Sequence, residues 1–119
     1  YMSFAYYWLA KNTFSSNQNE SIKYINKAIL IGNQVLLGRI RLLGEKHKKT
    51  IETLNYTARY YILASQLIKY NREKYIESAK IRAKLSLDLL YGIKPSEIMQ
   101  IEYEAVLKAA EELNDTDQN

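Results

Sequence analysis

The sequence predicts an all-α protein: an up-and-down bundle of four to five antiparallel helices in one domain over residues 1–119. Three observations carry this. Only one proline, Pro95, and four glycines, Gly32, Gly38, Gly44 and Gly92, interrupt the 119 residues, and helix interiors exclude proline and penalise glycine. Between these breaks apolar residues recur every three or four positions, the spacing of one helix face. No segment alternates apolar and polar residues as a half-buried strand does. Short links between long amphipathic segments make sequential helices antiparallel neighbours. No internal repeat of about 34 residues holds, which argues against a helical-repeat array.

The first helix is predicted over Ser3 to Phe14, with an aromatic face of Phe4, Tyr7, Trp8 and Leu9. The polar run SSNQN, residues 15–19, ends it. Asn19 reads as an N-cap for a second helix from Glu20 to Leu43, because its side chain can accept a backbone N–H of the first turn. Ile22, Ile25, Ile29, Gly32, Leu36, Ile40 and Leu43 form its apolar stripe. Gly32 lies on that stripe, where close approach of another helix explains it. Gly44 stops the helix, a frequent role for glycine just past a last turn.

The charged loop EKHKK, residues 45–49, leads to a third helix that Thr50 is expected to cap. Its stripe is Ile51, Leu54, Ala58, Tyr61, Ser65 and Ile68. A break is expected near Tyr70–Asn71, although KYNREKY holds no strong stop and one continuous helix is the alternative. The fourth helix, from Arg72 to Leu90, carries Ile76, Ala79, Ala83 and Leu90, and Tyr91-Gly92 ends it. Pro95 and Ser96 open the fifth, where a fixed φ and a capping hydroxyl both help. Ile98, Ile101, Ala105, Ala109 and Leu113 are its expected buried side. The tail NDTDQN should fray.

The composition narrows the chemistry. There are no cysteines, which removes disulfides, thiolate metal sites and a cysteine nucleophile and fits a reducing setting such as the cytoplasm. A lone His47 cannot build a multi-histidine metal site, and nothing points to a cofactor. No apolar run approaches the roughly 18 residues of a membrane span. The start, YMSFAYYWLA, has no basic n-region and no small-residue cleavage site, so it does not read as a signal peptide. Tyr1 precedes the first methionine, which fits either Met2 as the initiator or a piece of a longer chain.

Charge is unevenly spread. Thirteen basic and five acidic residues give +8 from Arg39 to Lys94, while one basic and seven acidic residues give −6 from Pro95 onward. A basic middle fits an anionic partner; ordinary pairing between neighbouring helices explains it equally simply. The candidate anion contacts are Arg72, Lys74, Arg82 and Lys84 on the fourth helix, with His47 and Lys48 in the basic loop. At about 100° per residue the fourth-helix cations spread around the helix rather than forming a seam. Phe4, Tyr7 and Trp8 are the candidate protein interface, suited to a homodimer. No Gly-rich phosphate loop, Ser-His-Asp set or paired-carboxylate signature is present, so no catalytic residue is assigned.

The stretches LAKNTFSSNQNESIKYINKAILIGNQVLLGRIRLLGEKHKKTIETL and IRAKLSLDLLYGIKPSEIMQIEYEAVLKAAEEL resemble the opening and closing helices of the HEPN superfamily of small helical bundles. The resemblance implies a homodimeric or hetero-associated bundle. Many members are ribonucleases or partners of minimal nucleotidyltransferases; others bind nucleotides or act as inert partners. The ribonuclease members carry an arginine, a polar residue, and a histidine four to six positions after the arginine. Arg82 matches the arginine, but Ala83 follows where a polar residue is typical, and Leu87, Asp88 and Leu89 occupy the window with no histidine. A degenerate ribonuclease would have to use Asp88 or His47, and an exposed carboxylate is a weak base for a 2′-hydroxyl. The expectation is therefore a catalytically silent, protein-binding bundle with RNA or nucleotide as a further ligand. The alternative is a structural or adaptor bundle with no nucleic-acid role.

Overall fold

A computed structural model describes residues 2–113. These form five helices and no strand: α1 (Met2–Thr13), α2 (Gln18–Leu43), α3 (Lys48–Leu67), α4 (Arg72–Tyr91) and α5 (Glu97–Glu111). The all-α bundle expected from the sequence is the fold observed. Residues 114–119, where fraying was expected, lie outside the described region.

Contacts between successive helices run in opposite directions along the two partners. Ser21 Oγ donates to Ala10 O at 2.5 Å, and Tyr6 stacks on Tyr24. Asn33 meets Tyr61 while Arg39, further along α2, meets Thr53, earlier on α3. Ile51 packs with Leu87 and Leu90, whereas Ala58 packs with Ala79 and Ala83. The bundle is thus antiparallel throughout these pairs.

α3 is the central helix. It packs against α2 on one side and α4 on the other, and also touches α1 and α5; α2 and α4 do not pack on each other. Its residues explain how it serves so many neighbours. Ala58 and Ala64 are fully buried and Tyr60 is 1% exposed; with Ala79, Ala83 and Ala110, small side chains bring the backbones close. Two buried hydroxyls of α3 are satisfied within the helix, Thr57 Oγ1 donating to Leu54 O at 2.7 Å and Ser65 Oγ to Ile62 O at 2.7 Å, while Asn55 Nδ2 donates across to Ser86 Oγ of α4 at 3.0 Å. Gly32 of α2 meets the Tyr60 ring, and an added Cβ there would stand 3.0 Å from Tyr60 Cε2. The close approach expected at Gly32 is present.

Several local expectations shift. α2 is capped by Asn17, whose Oδ1 accepts the Glu20 N–H at 3.1 Å, two residues before Asn19. α3 is capped by His47, whose Nδ1 accepts the Lys49 N–H at 3.1 Å. Thr50 is instead inside the first turn, buried, with Oγ1 unpaired. Ser96 caps α5 as expected, accepting from Met99 N. Gly44 adopts φ +88, the left-handed region that glycine tolerates. The break between α3 and α4 is real, and Asn71 turns it at φ 58.

The largest correction is on α5. Its buried residues are Tyr103 and Ala110, with Met99, Val106 and Leu107 half-buried. Ile98 and Ile101, expected inside, are 71% and 58% exposed, and Ala105 and Ala109 are exposed as well. Ile40 and Leu43, the end of the α2 stripe, are also exposed.

Candidate functional site

Arg82 carries the most specific polar arrangement in the molecule. It sits on the flank of α4 that faces across α3 toward α2. Its Nη1 donates to Asn33 Oδ1 on α2 at 2.6 Å and to Thr57 Oγ1 on α3 at 3.0 Å. The guanidinium lies over the Tyr61 ring, 4.9 Å from its centroid. Asn33 Nδ2 in turn donates to the Tyr61 hydroxyl at 3.1 Å. The four side chains thus close a ring of contacts over α3.

Every member of that ring except Arg82 is neutral. Among the described residues no carboxylate lies within ion-pair distance of Arg82; the ion pair found there joins Lys84 to Asp88. A half-buried guanidinium without a counter-charge is costly. Among the described residues its Nε and Nη2 donate to no acceptor, and neither is buried. That edge has the fork geometry that grips a carboxylate or phosphate with two parallel hydrogen bonds.

Exposed leucines lie one helical turn from Asn33 and from Arg82. Leu30 and Leu37 stand one turn either side of Asn33 and are 60% and 63% exposed. Leu85, one turn beyond Arg82, is 46% exposed.

The other candidate anion contacts do not join this site. Arg72 is half-buried at the start of α4 and Lys74 is exposed in the same turn. Both are about 12–15 Å along the helix from Arg82 at 1.5 Å per residue. Lys84 is about 200° around α4 from Arg82 and is engaged with Asp88 at 3.1 Å. His47 and Lys48 lie at the N-terminus of α3, about 15 Å along it from Thr57. His47 already uses Nδ1 for the cap. No basic track forms from these six residues.

The aromatic residues divide similarly. Phe4 packs edge-on to Tyr56, with centroids 5.5 Å apart, and Tyr7 packs on Tyr60 at 5.3 Å. Both are half-buried within the bundle. Trp8 is 48% exposed, with Lys11 over its ring.

The clefts offer little for a small anion. The widest, about 580 Å³ between α4 and the end of α5, is lined by Glu73, Glu77, Glu111 and Glu112 against Lys80. A second groove of about 350 Å³ runs over Arg59 and Ile62 between Tyr7 and the α5 residues Glu102, Ala105, Val106 and Ala109. Among the described residues no group of three or more His, Asp or Glu is placed to hold a metal, and no helix is long and apolar enough to cross a membrane.

Sequence reasoning found Arg82 but not its setting. Asn33 and Thr57 carry no signal that marks them as its partners, since the pairing depends on the register of α2 and α4 across α3. Leu30, Leu37 and Leu85 were missed because they lie off the main stripes. No family model, curated protein or solved structure matches this chain.

Proposed function

We propose that this chain is a non-catalytic, HEPN-like bundle that works as a protein-binding module, with its partner docked on the α2–α4 face around Arg82. The observation that carries this reading is the uncompensated, stacked guanidinium set among exposed Leu30, Leu37 and Leu85. Interface hot spots have this composition: an arginine held rigid at the centre and apolar neighbours that exclude water. A carboxylate of the partner completes the Arg82 fork, and the leucines supply the burial. A nucleotidyltransferase is the partner class that the family resemblance suggests, and a reducing compartment suits a cysteine-free chain.

RNA binding is the weaker reading. Nonspecific polynucleotide affinity comes from several cations that neutralise successive phosphates, and the cations here point away from one another. Catalysis has less support still. Asn33, Thr57 and Tyr61 offer Arg82 no ready proton acceptor, Asp88 is paired with Lys84, and His47 is committed to a helix cap.

The test is affinity capture from the native cell with the wild type, Leu37→Asp and Lys74→Glu. Loss of a stoichiometric partner with Leu37→Asp alone is the expected result. Loss with Lys74→Glu alone would overturn it. So would affinity for single-stranded RNA that survives Leu37→Asp and falls steeply with salt, which would transfer the site to nucleic acid.

A further inference from the structure

α5 has two apolar faces. One, with Tyr103 and Ala110, is spent on α3 and α4. The other is the strip Ile98, Ile101, Ala105 and Ala109, which is the more regular of the two and faces outward. Among the described residues nothing covers Ile98 and Ile101, while Ala105 and Ala109 edge the groove over Arg59 and Ile62.

The two unpartnered apolar faces differ in charge. Glu97, Glu102 and Glu112 border the α5 strip together with Lys108, so its edges are acidic on balance, in a segment whose net charge is −6 from Pro95 onward. The α2–α4 face is centred on Arg82, which has no counter-charge among the described residues. Their lengths also correspond. Ile98 to Ala109 spans about 16 Å of helix, and Leu30 to Ile40 on α2 about 15 Å, at 1.5 Å per residue.

Resting on the reading that the α2–α4 face binds protein, we infer that its occupant is the α5 strip of a second copy of this chain. Like-with-like pairing fails on charge. α5 against α5 would oppose two strips whose edges are acidic on balance, three glutamates to Lys108 on each, and the α2–α4 face against itself would oppose two Arg82 side chains. Pairing unlike faces seats Ile98 and Ile101 among Leu30, Leu37 and Leu85 and brings a glutamate to the open edge of Arg82. Such a contact is heterologous. Each copy keeps one face of each kind, so the assembly grows into a ring or a filament rather than stopping at a twofold dimer.

Light scattering coupled to size exclusion tests this with the full chain. Ile101→Asp blocks the α5 strip and Leu37→Asp blocks the α2–α4 face; both positions are more than half exposed, and a thermal melt checks that each variant stays folded. Ile98→Asp and Leu30→Asp replace either variant that does not. The wild type is expected to gain mass with concentration beyond a dimer. Each variant alone is expected to stay at 13.9 kDa, and an equimolar mixture to form a closed pair of twice that mass, since each supplies the face the other lacks. Variants that still dimerise alone, or a mixture that stays monomeric, overturn the inference. A wild type that is monomeric at every concentration also overturns it, and then the cell-capture result for Leu37→Asp shows whether a different protein uses the face.

Discussion

Arg82 Nη1 and Asn33 Oδ1 stand 2.6 Å apart and join α4 to α2, two helices that do not otherwise pack together. The bridge passes over Tyr61 and Thr57 of α3. It spends only one nitrogen of the guanidinium. The arrangement fixes the direction of the remaining edge rather than neutralising its charge.

Stability and binding should therefore separate at Arg82. Arg82→Met removes a cation that has no ion-pair partner among the described residues and keeps the stem that packs on α3. It is expected to change unfolding free energy by less than about 1 kcal/mol. Asn33→Ala takes away one of the two acceptors of Arg82 Nη1, leaving Thr57 Oγ1, and removes the donor to the Tyr61 hydroxyl; it is expected to cost about 1–2 kcal/mol. Urea melts measure both. A loss at Arg82→Met larger than at Asn33→Ala would make Arg82 a structural residue.

The two glycines inside α2 should respond in opposite directions. At Gly38 a Cβ meets nothing within 4 Å, so Gly38→Ala is expected to stabilise by about 0.5–1 kcal/mol through helix propensity. At Gly32 the same methyl meets Tyr60 Cε2 at 3.0 Å and Thr57 Cγ2 at 3.3 Å. Tyr60 cannot withdraw: it is 1% exposed, and its hydroxyl is 3.0 Å from Ser3 Oγ. Overpacking there is expected to outweigh propensity and cost a net 1–3 kcal/mol. Equal effects from the two substitutions would remove the close approach as the reason for Gly32.

The start of α3 gives a third contrast. His47→Ala deletes the acceptor for Lys49 N–H and is expected to cost about 1 kcal/mol, with His47→Asp restoring it because aspartate caps well and suits the positive helix end. Thr50→Val replaces an unpaired buried hydroxyl with a methyl, and is expected to be neutral or stabilising by up to about 1 kcal/mol. Were Thr50 the cap, the thermal melts of His47→Ala and Thr50→Val would rank the other way round.

The fold was legible because helix breakers and apolar spacing are local properties. Pro95 and Gly44 each begin or end an element where the chain alone says so, whereas the break at Asn71, left open against one continuous helix, is settled by its φ of 58. Ile76, Ala79, Ala83 and Leu90, the residues marked on α4 by their spacing, are buried, although Ile81 and Leu85 leave apolar side chains on the outside of that helix as well. On α5 the same rule chose the wrong face. Both faces are apolar, and periodicity cannot tell a strip buried by the chain's own core from a strip left outside it. The choice was made by Tyr103, whose ring fills the space beside Ile51, Leu87 and Leu90. A tyrosine is scored as amphipathic in a sequence, so its depth was not foreseen. The adjacent pair Tyr60-Tyr61 went the same way: Tyr61 was placed on the stripe, yet Tyr60 is the buried member. The Arg82 site was legible only as a cation on α4. Its meaning depends on Asn33, which is 49 positions away.

The depth of Tyr103 has a consequence at alkaline pH. Burial, with the nearby Glu52 charge adding to it, pushes its phenol well above the ordinary value. Tyr60 is raised as well, chiefly by burial. In the unfolded chain both ionise near pH 10. Their contribution to stability is thus fully present below about pH 10, because folded and unfolded forms are then both protonated. Above that pH the unfolded chain releases protons that the folded chain retains, and stability falls by up to about 1.4 kcal/mol per pH unit for each phenol. Tyr103→Phe removes one such phenol. Among the described residues its hydroxyl holds no hydrogen bond, so the substitution is expected to leave stability at pH 7 nearly unchanged. Urea melts between pH 9 and 11.5 should then show a shallower decline for Tyr103→Phe than for the wild type. Identical slopes would mean that the ring is reached by solvent in the folded protein, and that α5 is not held against Ile51 and Leu90 in solution.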